Sequence, residues 1–169
     1  NDWQETETET NHRRIKKFNA NNKQYTITDV LGDGSCFFHA VSLQLEKVDN
    51  IVIDSVHLRK KVSDFYIANK LNNHLRTHIV NANFKDVEVG VEVEEVVEVE
   101  EVVVEEYINS ISNKNTYAGE LELVALSMLG CKFEILKKTE NDGILILNTS
   151  YLDENIKQMV NKYGYIIEE

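Results

Sequence analysis

Apolar positions along this chain change their spacing from two to about 3.6, and the changes mark candidate elements. Residues 1–24 are polar, with alternating Glu and Thr and then "NANN", which predicts a loose end with room for one strand. "YTITDV" places Tyr25, Ile27 and Val30 among β-branched residues and reads as a short strand. After "GDGS", the run "CFFHAVSLQLEKV" has Phe37, Phe38, Val41, Leu43 and Leu45 with no breaker, and predicts a helix. Asp54 and Ser55 can cap a second helix, "VHLRKKVSDFYIANKL", whose Val56, Leu58, Val62, Phe65, Tyr66 and Leu71 fall mostly on one face. "ELELVALSM" predicts a short helix ended by Gly130. "CKFEIL" and "GILILNTSY" read as core strands joined through the Asn-Asp-Gly turn chemistry of "KKTENDG". The tail predicts a helix from Asp153 to about Lys162 and then a short strand.

Between these blocks lies "DVEVGVEVEEVVEVEEVVVEEYINSIS", a valine–glutamate repeat. Its first part has strand period; from Val93 the spacing Val93, Val96, Val97, Val103, Val104, Tyr107, Ile108, Ile111 is helical. β-Branched valine opposes a helix by only a few tenths of a kcal/mol per residue, so strand or loop to about residue 92 and helix thereafter is expected. Residues 86–106 read as a low-complexity insertion, either a solvated acidic face or an added surface for a partner.

The 169 residues suit one domain spanning the chain. A formal charge of −11 argues against general nucleic-acid binding, which needs clustered Lys and Arg. Mean hydropathy is −0.36, no run is long enough to cross a bilayer, and no signal-peptide pattern opens the chain, so a soluble, monomeric protein without membrane contact is expected. Two distant cysteines, Cys36 and Cys131, offer neither a disulfide framework nor metal spacing, and point to a reducing, cytosolic setting.

The chemistry concentrates in "DVLGDGSCFFHAVS". Gly32 and Gly34 allow a tight turn and close approach of another chain. Cys36 falls at the start of the predicted helix, where free amides and the dipole favour an anion, and a thiolate is such an anion. Amides around Gly34 to Cys36 could also hold the oxyanion of a tetrahedral intermediate. Cys36 is thus either a small core residue on a turn or a nucleophile. Cys131, heading an apolar strand, reads as structural.

"GDGSCFFHAVS" resembles the nucleophile motif of the ovarian tumour (OTU) family of cysteine proteases, which remove ubiquitin or its relatives. "HLRKKVSDFYI" and "YAGELELVALSMLGCKFEIL" resemble that family's following helix and its later helix–strand unit, so the likeness covers roughly residues 25 to 147. It implies an α+β, OTU-like papain-type fold, with a small mixed β-sheet of about five strands flanked by helices. It also implies a deubiquitinase acting on ubiquitin or polyubiquitin. The resemblance makes Cys36 the nucleophile, Asp33 the loop aspartate, Gly34 and Ser35 the oxyanion turn, and Tyr117 and Gly119 substrate-binding positions. No metal or organic cofactor is implied. Family analogy also suggests an intracellular bacterium or virus as source, with secretion into a host cytosol.

One departure stands out. OTU enzymes usually carry their basic histidine in a C-terminal strand, whereas no histidine follows His78 here. His39, one turn after Cys36, reads as a packing residue and His57 as structural. His74 and His78 have metal-like spacing on one helix face, yet no nearby Glu or Cys completes a site. His12, in "NHRRIKKF", is the candidate base if the chain resembles permuted bacterial OTU-like enzymes, whose histidine strand precedes the cysteine; otherwise it is a solvated histidine in a basic loop. "NDWQ" resembles the "His-Trp" ending of some such proteases, with Asp2 in the histidine's place. The third member of a triad stays unassigned.

Overall fold

The structure, a computed structural model, describes residues 6–10, 13–20, 23–83, 93–131, 135–138, 144–147 and 154–167. The N-terminal region forms β1 (Thr6–Thr10), β2 (Arg13–Ala20) and β3 (Lys23–Thr28), an antiparallel meander. Thr10 pairs with Arg13 and Ala20 with Lys23, so both connections are short. One strand is expected within residues 1–24 and another at "YTITDV"; the structure pairs three, so one is added. Alternating Thr and Glu conceal β1, because neither of its faces is apolar.

Among the described residues six helices follow the meander: α1 (Cys36–Asp49), which begins at the cysteine, α2 (Ser55–Ala68), α3 (Asn73–Asn83), α4 (Val93–Ile111) and α5 (Glu120–Met128) before a second ladder, and α6 (Glu154–Tyr163) after it. The second ladder is β4 (Ile135–Lys138) with β5 (Ile144–Leu147), antiparallel, Ile135 opposite Leu147. Among the described residues the five strands form these two separate antiparallel sheets, with no parallel pair. The Asn-Asp-Gly connection and the strand-period stretch before Val93 lie outside the described residues.

The core sits between the helices. α1 contributes Phe38 and Val41, and α2 contributes Leu58, Val62, Phe65 and Tyr66, spaced three, four and seven apart as one helical face requires. Asp54 caps α2 by accepting the His57 amide at 2.8 Å. α2 stops at Ala68, short of the Leu71 expected, and Leu71 is exposed. α3 has no counterpart among the elements read from spacing: only Leu75 and Ile79 are buried on it, too few to reveal a stripe. Asn72 caps it through its side-chain oxygen, which accepts the Leu75 amide at 3.1 Å.

α4 forms from Val93 despite its valines. Val104, Ile108 and Ile111 are buried against α2 and α3, so the end of the repeat enters the core. Its glutamates face outward into ion pairs, Lys70–Glu105 at 2.7 Å and Arg76–Glu101 at 3.1 Å. After α6, residues 165–167 are not a strand. Asn69 holds this segment instead, receiving the Ile166 amide at 2.6 Å and donating to the Ile166 carbonyl at 2.9 Å. Tyr165 stacks on Phe65 with centroids 5.8 Å apart, and burial pushes its hydroxyl up to about 12.

A second buried anchor joins α2, α4 and α5. Glu122 is 1% exposed and accepts hydrogen bonds from the hydroxyls of Tyr66 and Tyr107 and, at 2.7 Å, from the Gly119 amide. The last bond caps α5. Burial, then the nearby carboxylate, drives both phenols upward, so they stay protonated donors. Tyr66→Phe removes one donor from a buried carboxylate; urea denaturation should show a loss of about 1–3 kcal/mol, whereas exposed Tyr163→Phe should change stability by less than about 0.5 kcal/mol.

Candidate active site

The cysteine turn is built around Asp33. Its Oδ1 accepts the Ser35 amide at 2.9 Å and its backbone carbonyl accepts the Cys36 amide at 3.1 Å. The Ser35 amide, with burial opposing and His39 assisting, holds the Asp33 carboxyl below its ordinary value. His39 reaches the same carboxylate, Nε2 to Oδ2 at 3.3 Å. The side chain expected to serve packing therefore has a polar partner. Cys36 opens α1 as a half-buried free thiol.

These bonds alter the expected oxyanion site. The amides of Ser35 and Cys36 are already directed at Asp33, so they are not the unpaired donors the spacing suggested. Among the described residues the Gly34 amide has no acceptor.

Behind the turn lies Arg59, which motif inspection missed. It is 4% exposed and is presented by α2. Nη2 donates to the carbonyls of Gly34 (2.9 Å), Thr116 (2.8 Å) and Lys114 (3.3 Å) and to Ser35 Oγ (3.1 Å); Nη1 donates to the Ile111 carbonyl at 3.0 Å. Ser35 Oγ donates in turn to the Lys114 carbonyl at 2.7 Å. The guanidinium carbon stands 4.6 Å from the centre of the Phe38 ring, a cation–π contact. Burial pulls the guanidinium down from its usual value while Glu122 and Asp33 push it back up, and arginine stays charged. The available signal was the Leu58-Arg59 pair: an arginine on the buried face of a helix needs acceptors.

Arg59 thus ties the turn to the loop after α4. That loop is self-braced, with Asn113 Oδ1 accepting the Asn115 amide at 2.9 Å. Gly34 lets it come close: a Cβ there would stand 2.2 Å from the Asn115 carbonyl oxygen.

Tyr117 and Gly119 follow the clipped loop. They line a cavity of about 680 Å³ bounded by α2, α3, α5 and α6, which Cys36 does not line. The structure gathers Asp33, Gly34, Ser35 and Cys36 in one turn and sets Tyr117 and Gly119 at a neighbouring cavity. His12 and Asp2 lie outside the described residues. Cys131 is half-buried against the core, where burial pushes its thiol up. Among the described residues no group of three or more His, Cys, Asp or Glu could hold a metal ion, and no helix is long and apolar enough to cross a membrane.

The family model of the OTU-like cysteine proteases matches residues 31–165, from just before the turn to the end of the tail anchor. The chain belongs to that family. No curated protein and no solved structure matches it significantly. The family is one of cysteine hydrolases, and the matched region includes the only thiol that stands at a helix start.

Gly34→Ala must displace backbone rather than a flexible side chain, so loss of both thermal stability and thiol reactivity is expected, measured by melting and by iodoacetamide rate. Arg59→Lys keeps the charge but not the fork; chemical denaturation should show about 2–4 kcal/mol lost, because several buried carbonyls lose their donor. Asp33, with its carboxyl depressed, supports the turn above its unfolded value, and that support disappears as pH falls through the depressed folded value. Acid titration of Asp33→Asn should lack this low-pH step.

Proposed function

We propose that this OTU-like protein is a deubiquitinase that hydrolyses ubiquitin–lysine isopeptide bonds through a Cys36 acyl-enzyme. The observation that carries the proposal is the Asp33–Cys36 turn, pinned by Arg59 at the head of α1 inside the family match. In this reading Cys36 Sγ attacks the carbonyl of the ubiquitin C-terminal glycine. The Gly34 amide stabilises the oxyanion, joined by the Cys36 amide when it leaves the Asp33 carbonyl. The leaving lysine amine takes a proton from an acid–base histidine, and water then clears the thioester.

His12 is the proposed acid–base residue. It belongs to the segment linking β1 and β2, upstream of the cysteine as in the permuted OTU-like arrangement, and Asp33 shapes the loop. Under this reading residues 1–169 form a single domain. Tyr117 and Gly119 contribute to the substrate channel. The net charge of −11 favours the basic surroundings of the ubiquitin tail by steering. Activity in a host cytosol, without nucleic-acid or membrane partners and as a monomer, completes the proposal.

A second reading is a ubiquitin-binding module of the same fold that has lost its base. It draws on two observations: no histidine follows His78, and His39, beside the turn, is engaged by Asp33. The two readings diverge under one pair of measurements. A ubiquitin bearing a C-terminal electrophile should label the wild type and not Cys36→Ala, and a fluorogenic ubiquitin substrate should turn over. His12→Ala should lower kcat at least 100-fold with an unchanged melting temperature, and His39→Ala should lower it less. Labelling without turnover supports the binding module, and an unaltered rate in His12→Ala removes that residue from the mechanism.

A further inference from the structure

A second cluster lies on the far side of the cavity from the cysteine turn. α3 presents His74 and His78 one helical turn apart, and their Nε2 atoms stand 3.1 Å from each other. His74 is held from two further directions. Tyr163 stacks on its ring at 3.8 Å, and the Tyr165 hydroxyl meets its Nδ1 at 2.7 Å. When Nδ1–H donates to that hydroxyl, Nε2 carries the lone pair. The histidine is thereby oriented by an outer partner, as metal-bound histidines characteristically are.

The spacing of the two nitrogens has a definite meaning. Donors about 2.0–2.1 Å from one zinc ion lie about 3.3 Å apart at the tetrahedral angle and about 2.9 Å apart at a right angle. A separation of 3.1 Å falls between these limits. Both side chains line the cavity of about 680 Å³, so an ion bridging them would keep access to further ligands.

We propose that His74 and His78 bind one transition-metal ion of the zinc class through their two Nε2 atoms, with water or a small anion completing its coordination. Imidazole nitrogens select zinc, copper or nickel over magnesium and calcium, which take oxygen ligands. Counting ligands in the sequence argued against a metal because no third protein donor is near. A two-histidine site needs none, and here His74 is oriented by Tyr163 and Tyr165 while His78 brings its Nε2 alongside. Without an ion the same pair is within hydrogen-bond distance, Nε2 to Nε2.

The groups facing the pair bear on its pH response. Burial first, then His78 and Lys162, lower His74 from its usual value. Tyr163 and Tyr165 face it from the tail. Because the tail is also held by Asn69, a bound ion would brace α3 against residues 163–166.

The test is a calorimetric titration of the chelator-treated chain with zinc chloride at pH 7.5, beside Cys36→Ala and His78→Ala. Cys36→Ala separates the histidine site from binding to the reactive thiol, and His78 is exposed, so its replacement leaves the core intact. One ion per chain is expected in the wild type and in Cys36→Ala, with at least ten-fold weaker binding in His78→Ala. Zinc affinity unchanged in His78→Ala, zinc lost only with Cys36, or no zinc bound at all would each overturn the site.

Discussion

One buried cation organises the candidate site. Arg59 leaves α2 and meets carbonyls from two segments, Gly34 before α1, and Ile111 at the end of α4 with Lys114 and Thr116 beyond it. A guanidinium without water is costly to bury unless its donors are matched. Its fork reaches several acceptors at once, a geometry an ammonium could not copy. The Nε atom has no partner among the described residues, and the Phe38 ring stands beside the guanidinium. The consequence is mechanical: neither the cysteine turn nor the 112–116 loop can move without breaking bonds to a charge that has nowhere else to go. The candidate nucleophile owes its fixed place to a residue on a different helix.

Glu122 plays a comparable part with the opposite sign at the other end of the same segment. Residues 111–122 run from the Arg59 acceptors to the carboxylate that caps α5 and receives Tyr66 and Tyr107. Tyr117 and Gly119 lie between the two anchors. A loop fixed at both ends by buried charges can expose Tyr117, 65% accessible, without losing its course. Exposed aromatic side chains on a well-held backbone are suited to recognition.

Much of this was legible in the residues, for identifiable reasons. The cysteine helix, the Asp54 cap and the stop at Gly130 follow from local chemistry, and each element forms where its signals stand. α3 was not legible, since "NHLRTHIVNAN" buries only Leu75 and Ile79 and is otherwise polar. The pattern predicts a short strand after the tail helix; the backbone groups of Ile166 are taken by the Asn69 amide instead, a long-range contact that no local pattern encodes. β1 was hidden by its polar faces. Arg59 was hidden by its charge, because a residue type that is rarely buried carries no periodic signal when it is. In each miss, tertiary pairing of polar groups overrode a pattern rule built on apolar ones.

On the proposed mechanism, the occupied amides of the turn set the order of events a substrate would meet. The Cys36 amide is bonded to the Asp33 carbonyl and the Ser35 amide to its carboxylate. A neutral backbone hydrogen bond contributes only about 1 kcal/mol net, while a developing oxyanion draws roughly twice the strength from the same donor. Exchange of the Asp33 carbonyl for an oxyanion is therefore downhill once charge develops, and not before. The bond between Ser35 and the Asp33 side chain is of the charge-assisted kind already, and His39 supports that carboxylate from the other side. It should hold while the weaker one gives way. An amide engaged at rest and released by charge discriminates between bound ester or amide and the tetrahedral state, which is where selective stabilisation raises a rate.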